Sequence, residues 1–200
     1  MGPMRTPAAT DSRRDILRTA ARLFQKRGYE ATSMQDVASA LNLSKGALYH
    51  HFHSKDEILF EIMNHGLDIF EEEVLSVVRP IPDPAKRLRA CIARHIEMLL
   101  RGRDREITVI LHENRTLPSR LRKLINARKK DYIHFLEQTI AEVQRQLEAK
   151  NEISPQAAAY ALLGMINWVY QWYRPGGSLT EEKLIRDYAM IFFDGLTASK

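Results

Sequence analysis

The sequence predicts an all-α fold of about nine helices, a short N-terminal three-helix unit followed by a larger helical body. Three observations carry this. Apolar residues recur at helical spacing almost throughout, and alternating runs of the strand kind are nearly absent. Ser or Thr stands ahead of most periodic segments, where a side-chain oxygen can cap a helix. The prolines fall between the segments or at their starts, as in RPIPDP (79–84) and RPGG (174–177).

Taken in order, the first helix opens at Ser12, with Asp15 three residues on in a capping-box spacing. Ile16, Ala20, Leu23 and Phe24 make its apolar face, and Gly28 ends it. Thr32 and Ser33 precede the second helix, where Ser33 and Asp36 repeat the capping arrangement and Val37, Ala38 and Leu41 face inward. Ser44 caps a third, very short helix, KGALYHHF. Ser54 with Glu57 caps a long fourth helix that RPIPDP ends. A fifth runs from about Asp83 to Leu100, and a short sixth covers 105–113. Pro118 suits the first turn of a long seventh, to about residue 149, with Leu121, Leu124, Ile125, Ile133, Leu136, Ile140, Val143 and Leu147 apolar. Ser154 and Pro155 start the eighth, which ends in NWVYQWY (167–173), and Thr180 caps the last, to about Ala198.

A chain of 200 residues, 44% hydrophobic and 28% charged, can bury a sizeable core without disulfides or metals. Its one cysteine, Cys91, sits in a helical apolar pattern and reads as a small buried hydrophobe. No run approaches the ~20 apolar residues of a membrane span, and no apolar stretch follows the N-terminal charges as in a secretory signal. A cytoplasmic protein with no membrane partner is expected. Residues 1–11 read as a disordered tail. No nucleophile with its base, no metal-ligand spacing and no Gly-rich phosphate loop is present, so no enzyme, metal or cofactor is expected.

Charge is uneven. Residues 1–53 carry eight Lys/Arg against four acids, while the rest of the chain is nearly balanced within a net charge of +5. A basic N-terminal module on a near-neutral body points to a polyanion. The chemistry sits in residues 32–58. Two short helices joined by LNLS form a helix-turn-helix pattern, about 33–52. On the third helix Leu48 and Phe52 share the inward face, so Gly46, Ala47, Tyr49 and His50 look outward. Small residues let a helix backbone approach base edges in a major groove, and Tyr49, His50 and Lys45 can donate to phosphates. Thr32, Ser33 and Gln35 at the start of the second helix, Ser44, and Lys55 at the start of the fourth complete the expected DNA-binding set. The run His50, His51 and His53 lacks accompanying cysteines or carboxylates, which argues against a metal.

The stretch ILRTAARLFQKRGYEATSMQDVASALNLSKGALYHHFHSKDEIL resembles the N-terminal domain of TetR/AcrR-type transcriptional repressors. The residues that carry the resemblance are Ala20, Phe24, Gly28, Tyr29, Thr32, Val37, Ala38, Gly46, Tyr49, His50, Phe52 and Lys55. It implies a helix-turn-helix DNA-binding domain at 12–54 and a ligand-binding and dimerisation domain at 55–200. It also implies a homodimer formed through the last two helices, about 155–198, a palindromic double-stranded operator, and release by a small-molecule effector. Apolar residues on more than one face of the last helix (Leu184, Ile185, Tyr188, Ile191, Phe192, Phe193) agree with burial on two sides.

For the effector, candidate contacts are Met63, Leu67, Phe70, Met98, His112, Glu113, Phe135, Trp168, Trp172 and Arg174. A basic set (Arg115, Arg120, Arg122, Lys123, Arg128, Lys129, Lys130) is either a solvated helix face or a perch for an anionic ligand head. The body is similar to that of TetR-type repressors of fatty-acid, steroid and aromatic-acid catabolism, which implies a CoA thioester, an acyl-CoA, as effector. The alternatives are a repressor of an efflux gene that senses lipophilic compounds, and a helix-turn-helix protein acting mainly through a protein partner.

Overall fold

The structure, a computed structural model, describes residues 9–101, 116–148 and 153–197. Eight helices and no strand occur among them: α1 (Ala9–Arg27), α2 (Met34–Ala40), α3 (Lys45–His51), α4 (Lys55–Phe70), α5 (Pro84–Arg101), α6 (Ser119–Gln146), α7 (Pro155–Trp172) and α8 (Glu181–Thr197). Helix α4 continues through a π-helical turn, Glu71–Leu75, into a last turn, Ser76–Val78. The expected helix at 105–113 lies outside the described residues, as does the tail up to residue 8.

The caps read from the sequence are formed, with one exception. Ser33 and Asp36 make a reciprocal capping box on α2. The Ser44 hydroxyl accepts from the Ala47 amide, Ser54 from Glu57, Ser154 from Ala157 and Thr180 from Lys183. The exception is α1, which opens at Ala9 and not at Ser12. Ala9, Thr10 and Asp11 contain no helix breaker, and a serine loses only a few tenths of a kcal/mol inside a helix, so nothing holds the start back to Ser12. At the other end Gly28 takes φ +85°, and its amide closes α1 onto the Phe24 carbonyl at 2.8 Å.

The described chain forms two compact units. The first comprises residues up to Leu67 with the segment ending at Ile125. Its core holds Ile16, Ala20, Phe24, Val37, Leu48, Phe52, Ile58, Ile62 and Met63, closed by Leu117 and Ile125. Phe24 and Tyr29 meet edge-to-face at 5.0 Å. The turn between α2 and α3 is tight because Asn42 adopts φ +54°, a conformation asparagine tolerates better than most residues, and the Leu43 amide returns to the Ala38 carbonyl at 2.9 Å.

The second unit runs from Asp68 to Arg103 and from Asn126 onward. Helix α5 packs on the π-helical turn, α7 and α8. It buries Leu88, Cys91, Ile92, His95, Ile96, Met98 and Leu99. Arg87 joins α5 to α6: its guanidinium pairs with Glu142 and donates to the Ile81 carbonyl at 3.0 Å. Gln146 donates to Asp83 at 3.1 Å, and Arg128 pairs with Asp68 at 2.7 Å. Helices α7 and α8 contact each other, and each also carries an exposed apolar stripe.

Candidate nucleic-acid interface and effector-responsive body

Helix α3 is short, so its inward face must be decided by very few residues. Leu48 and Phe52 are both fully buried, and they anchor it in the first core. At 100° per residue this turns Gly46, Tyr49 and His50 outward, and all three are exposed, as is Lys45 at the start of the helix. Ser44 is exposed at its N-cap, and Ala47 is half-buried beside it. The Lys45 ammonium lies 5.8 Å from the centre of the Tyr49 ring, and the His50 and His51 rings meet edge-to-face at 5.6 Å. Among the described residues no group of three His, Cys, Asp or Glu is arranged to hold a metal.

The N-terminal end of α2 is more mixed. Ser33 and Gln35 are exposed, although Ser33 is engaged in the capping box and Gln35 donates to Ser39 at 3.2 Å. Hydrogen bonds to Ser33 hold the Asp36 carboxyl below the usual carboxylate range. Two members of the expected set have internal partners. Thr32 is buried, its hydroxyl donating to the Gly28 carbonyl at 2.8 Å. The Lys55 ammonium donates to the Tyr29 carbonyl at 2.8 Å and lies over that residue's ring. Both side chains therefore brace the turn after α1. The motif marks them as necessary, but the sequence alone does not separate a brace from a phosphate contact.

Arg13 was not singled out by sequence. It lies 4.4 Å from the centre of the Phe52 ring, donates to the His51 carbonyl at 3.3 Å and approaches Glu61 at 3.9 Å. It ties the end of α3 to α1 and α4.

The effector candidates do not form one group. Met63 is fully buried in the first core, with Leu67 packed against it, so Met63 acts there as packing. Met98 is buried on α5. Phe135 is half-buried with the Arg79 guanidinium 5.9 Å from its ring centre. Trp168 is 62% exposed, Trp172 40%, and Arg174 donates to the Gln171 and Tyr173 carbonyls. His112 and Glu113 lie outside the described residues.

What the structure does bring together is a buried polar cluster around Phe70. The Phe70 ring meets Tyr132 at 4.5 Å and His95 at 5.0 Å, both edge-to-face. The Tyr132 hydroxyl and His95 Nδ1 are 3.3 Å apart. Burial pushes the His95 imidazole down to about 3, so it is neutral. Burial holds the Tyr132 phenol well above its ordinary range and lifts the Cys91 thiol to about 12. Cys91 is therefore an inert thiol, as its sequence context predicts. Lys129, one turn before Tyr132 on α6, is half-buried, and burial lowers its ammonium to about 8. A signal for His95 and Tyr132 existed: each interrupts an apolar stripe, Leu88–Cys91–Ile92–Ile96–Leu99 on α5 and Ile125–Leu136–Ile140–Val143 on α6.

Residues 16–62 match the profile of the bacterial regulatory proteins of the tetR family, and residues 82–196 that of the tetracyclin repressor-like C-terminal domain. The chain belongs to the TetR family. It is thus a helix-turn-helix, DNA-binding transcriptional regulator and not an enzyme. Among TetR-family relatives, the transcriptional repressor KstR2 of Mycolicibacterium smegmatis is 26% identical over 206 residues, covering 98% of this chain and 96% of that protein. KstR2 of Rhodococcus jostii is 29% identical over 202 residues, covering 96% and 95%. The crystal structure of AibR in complex with isovaleryl coenzyme A and operator DNA superposes with a TM-score of 0.84 at 44% identity, over 90% of this chain and 96% of that one. No helix among the described residues is long and apolar enough to cross a membrane.

Proposed function

We propose that this TetR-family chain is a homodimeric repressor that holds a palindromic operator through two copies of α3 and releases it when a CoA thioester binds the helical body. The observation that carries the DNA half is the division of α3 into a buried anchor, Leu48 and Phe52, and an exposed small-and-donor face, Gly46, Tyr49 and His50 with Lys45. In this reading Gly46 and Ala47 let the backbone approach base edges, while Ser33, Gln35, Ser44, Lys45, Tyr49 and His50 supply base and phosphate contacts. The working division is residues 12–54 for DNA and 55–200 for effector and partner copy.

Dimerisation is supported by the apolar side chains that α7 and α8 leave in solvent: Tyr160 and Trp168 on one, Met190 and Ile191 on the other, each more than half exposed. Covering them with a second copy removes the stripe from water and sets two α3 helices on half-sites about 34–36 Å apart. The effector class is supported by the 44% identity to AibR, whose structure holds isovaleryl coenzyme A. The chain crosses between the two compact units within α4, so a ligand that favours one arrangement of α4 shifts the operator-binding population.

The experiment is an anisotropy titration of labelled DNA from upstream of its own gene, with isovaleryl-CoA and longer acyl-CoAs added afterwards. Tight, steeply salt-dependent binding that acyl-CoAs abolish is expected. Release by lipophilic dyes with no response to acyl-CoAs would move the assignment to an efflux regulator.

A further inference from the structure

Helix α7 is the one helix among the described residues without a charged side chain. It is nevertheless not buried all round. Ala157, Tyr160, Ala161, Gly164 and Trp168 are exposed along it. Their spacing of three and four residues makes them one stripe, turned away from the face that buries Leu162 and Ile166. Charged and polar residues normally occupy the outer side of such a helix, and an apolar outer side marks a surface that is covered.

Gly164 stands in the middle of this stripe, and nothing in its own subunit calls for a glycine there. It lies in a helix interior, not at a turn, and its φ is not positive. A methyl group placed on its Cα would meet no atom within 4 Å. In an exposed helix interior glycine is the least favourable residue after proline, and alanine is the best. The isolated subunit would therefore be more stable with alanine at this place. A glycine that weakens its own helix and makes room for nothing inside the subunit makes room for something outside it.

Charge indicates the occupant. In a two-fold interface each residue near the axis meets its own copy, so a charged side chain there would face like charge. A stripe without charge suits such an axis, and it offers a partner of unlike surface no ion to pair with.

We propose that the α7 helices of two copies cross at Gly164, backbone against backbone, with Tyr160 and Trp168 of each copy covering the flanks of the crossing. This rests on the self-interface reading given above and adds where the closest approach lies. The distance between packed helix axes is set by the side chains at the contact, and Gly164 with Ala161 allows a short one. A helix with a larger residue at this place is held off, so the crossing selects a second copy of this chain.

The test uses the full chain, natural and as Gly164→Ala and Gly164→Leu. Sedimentation over a series of concentrations gives the dimer dissociation constant. Each substitution enters the crossing twice, once per copy, and an overfilled contact is destabilising. Gly164→Ala is expected to raise the constant at least about tenfold, and Gly164→Leu further. Gly164→Ala is also placed in a background made monomeric by Trp168→Glu with Ile191→Glu. There only helix propensity remains, and the melting temperature is expected to rise by about 2–4 °C. A Gly164→Ala protein that dimerises as tightly as the natural one overturns the crossing and leaves the self-interface standing. A lower melting temperature in the monomeric background shows that the subunit's own packing needs the glycine, and equally overturns the proposal. A natural protein that is monomeric at micromolar concentration instead sinks the self-interface, and the crossing falls with it. If the background variant does not fold or still dimerises, the dissociation constants decide alone.

Discussion

The Lys55 ammonium donates to the Tyr29 carbonyl at 2.8 Å and stands 4.1 Å from the centre of the same residue's ring. A lysine at the start of a helix beside a DNA-reading element looks like a phosphate anchor in sequence. In the fold it ties the first turn of α4 to the bend after α1, and Tyr29 answers through its hydroxyl to Asp56.

This separates two lysines by experiment. Lys45→Ala is expected to lower operator affinity and to reduce the salt slope by about 1, as loss of one phosphate contact does. Lys55→Met is expected to lower thermal stability, with weaker binding but an unchanged slope. Fluorescence titrations at four salt concentrations, beside melting curves, read both. An unchanged slope for Lys45→Ala would remove it from the interface.

His95 should give the protein an acid limb. The unfolded chain takes up this proton near 6.5, the folded chain only near 3. The unfolded state therefore binds more protons between those values, and stability falls as pH drops through that window, by up to about 1.4 kcal/mol per pH unit. His95→Leu is expected to flatten this limb in urea titrations between pH 6.5 and 4. A limb of equal steepness in the variant would assign the loss to other groups.

Backbone conformation gives a prediction free of side-chain contacts. Gly28 takes φ +85°, and a methyl group placed on it would meet nothing within 4 Å. Gly28→Ala should therefore cost only the left-handed penalty, about 1–2 kcal/mol, in chemical denaturation. Asn42, at φ +54°, should gain slightly from Asn42→Gly and lose from Asn42→Ile. Equal stability of the natural protein and all three variants would argue against these turns.

The exposed stripe on α7 and α8 predicts the assembly. Trp168→Glu with Ile191→Glu places two charges among side chains now 62% and 58% exposed. The variant is expected to sediment as a monomer, to keep its helical circular dichroism and to lose tight operator binding, since one α3 reaches one half-site. A natural protein that is monomeric at micromolar concentration would refute the stripe as a self-interface.

Helix boundaries were legible in the sequence because caps and breakers are local. Ser33, Ser44, Ser54, Ser154 and Thr180 each bond to an amide three residues away, so their effect needs no distant partner. Ser12 misled because a capping residue can also lie inside a helix when nothing before it stops the chain. The exposed face of α3 was legible for a similar reason, since Leu48 and Phe52 orient a two-turn helix by themselves.

The amino-acid sequence by itself determined the helical class, the helix-turn-helix unit and its outward face, because period, capping and motif are properties of neighbouring residues. Only the tertiary structure decided which polar side chains are spent inside the fold. Thr32 and Lys55 were drawn into bracing the first unit, and Tyr132 and His95, 37 residues apart, were brought into one buried contact. The physical reason is that a hydrogen bond across such a separation depends on helix packing, and packing is set by the whole core at once.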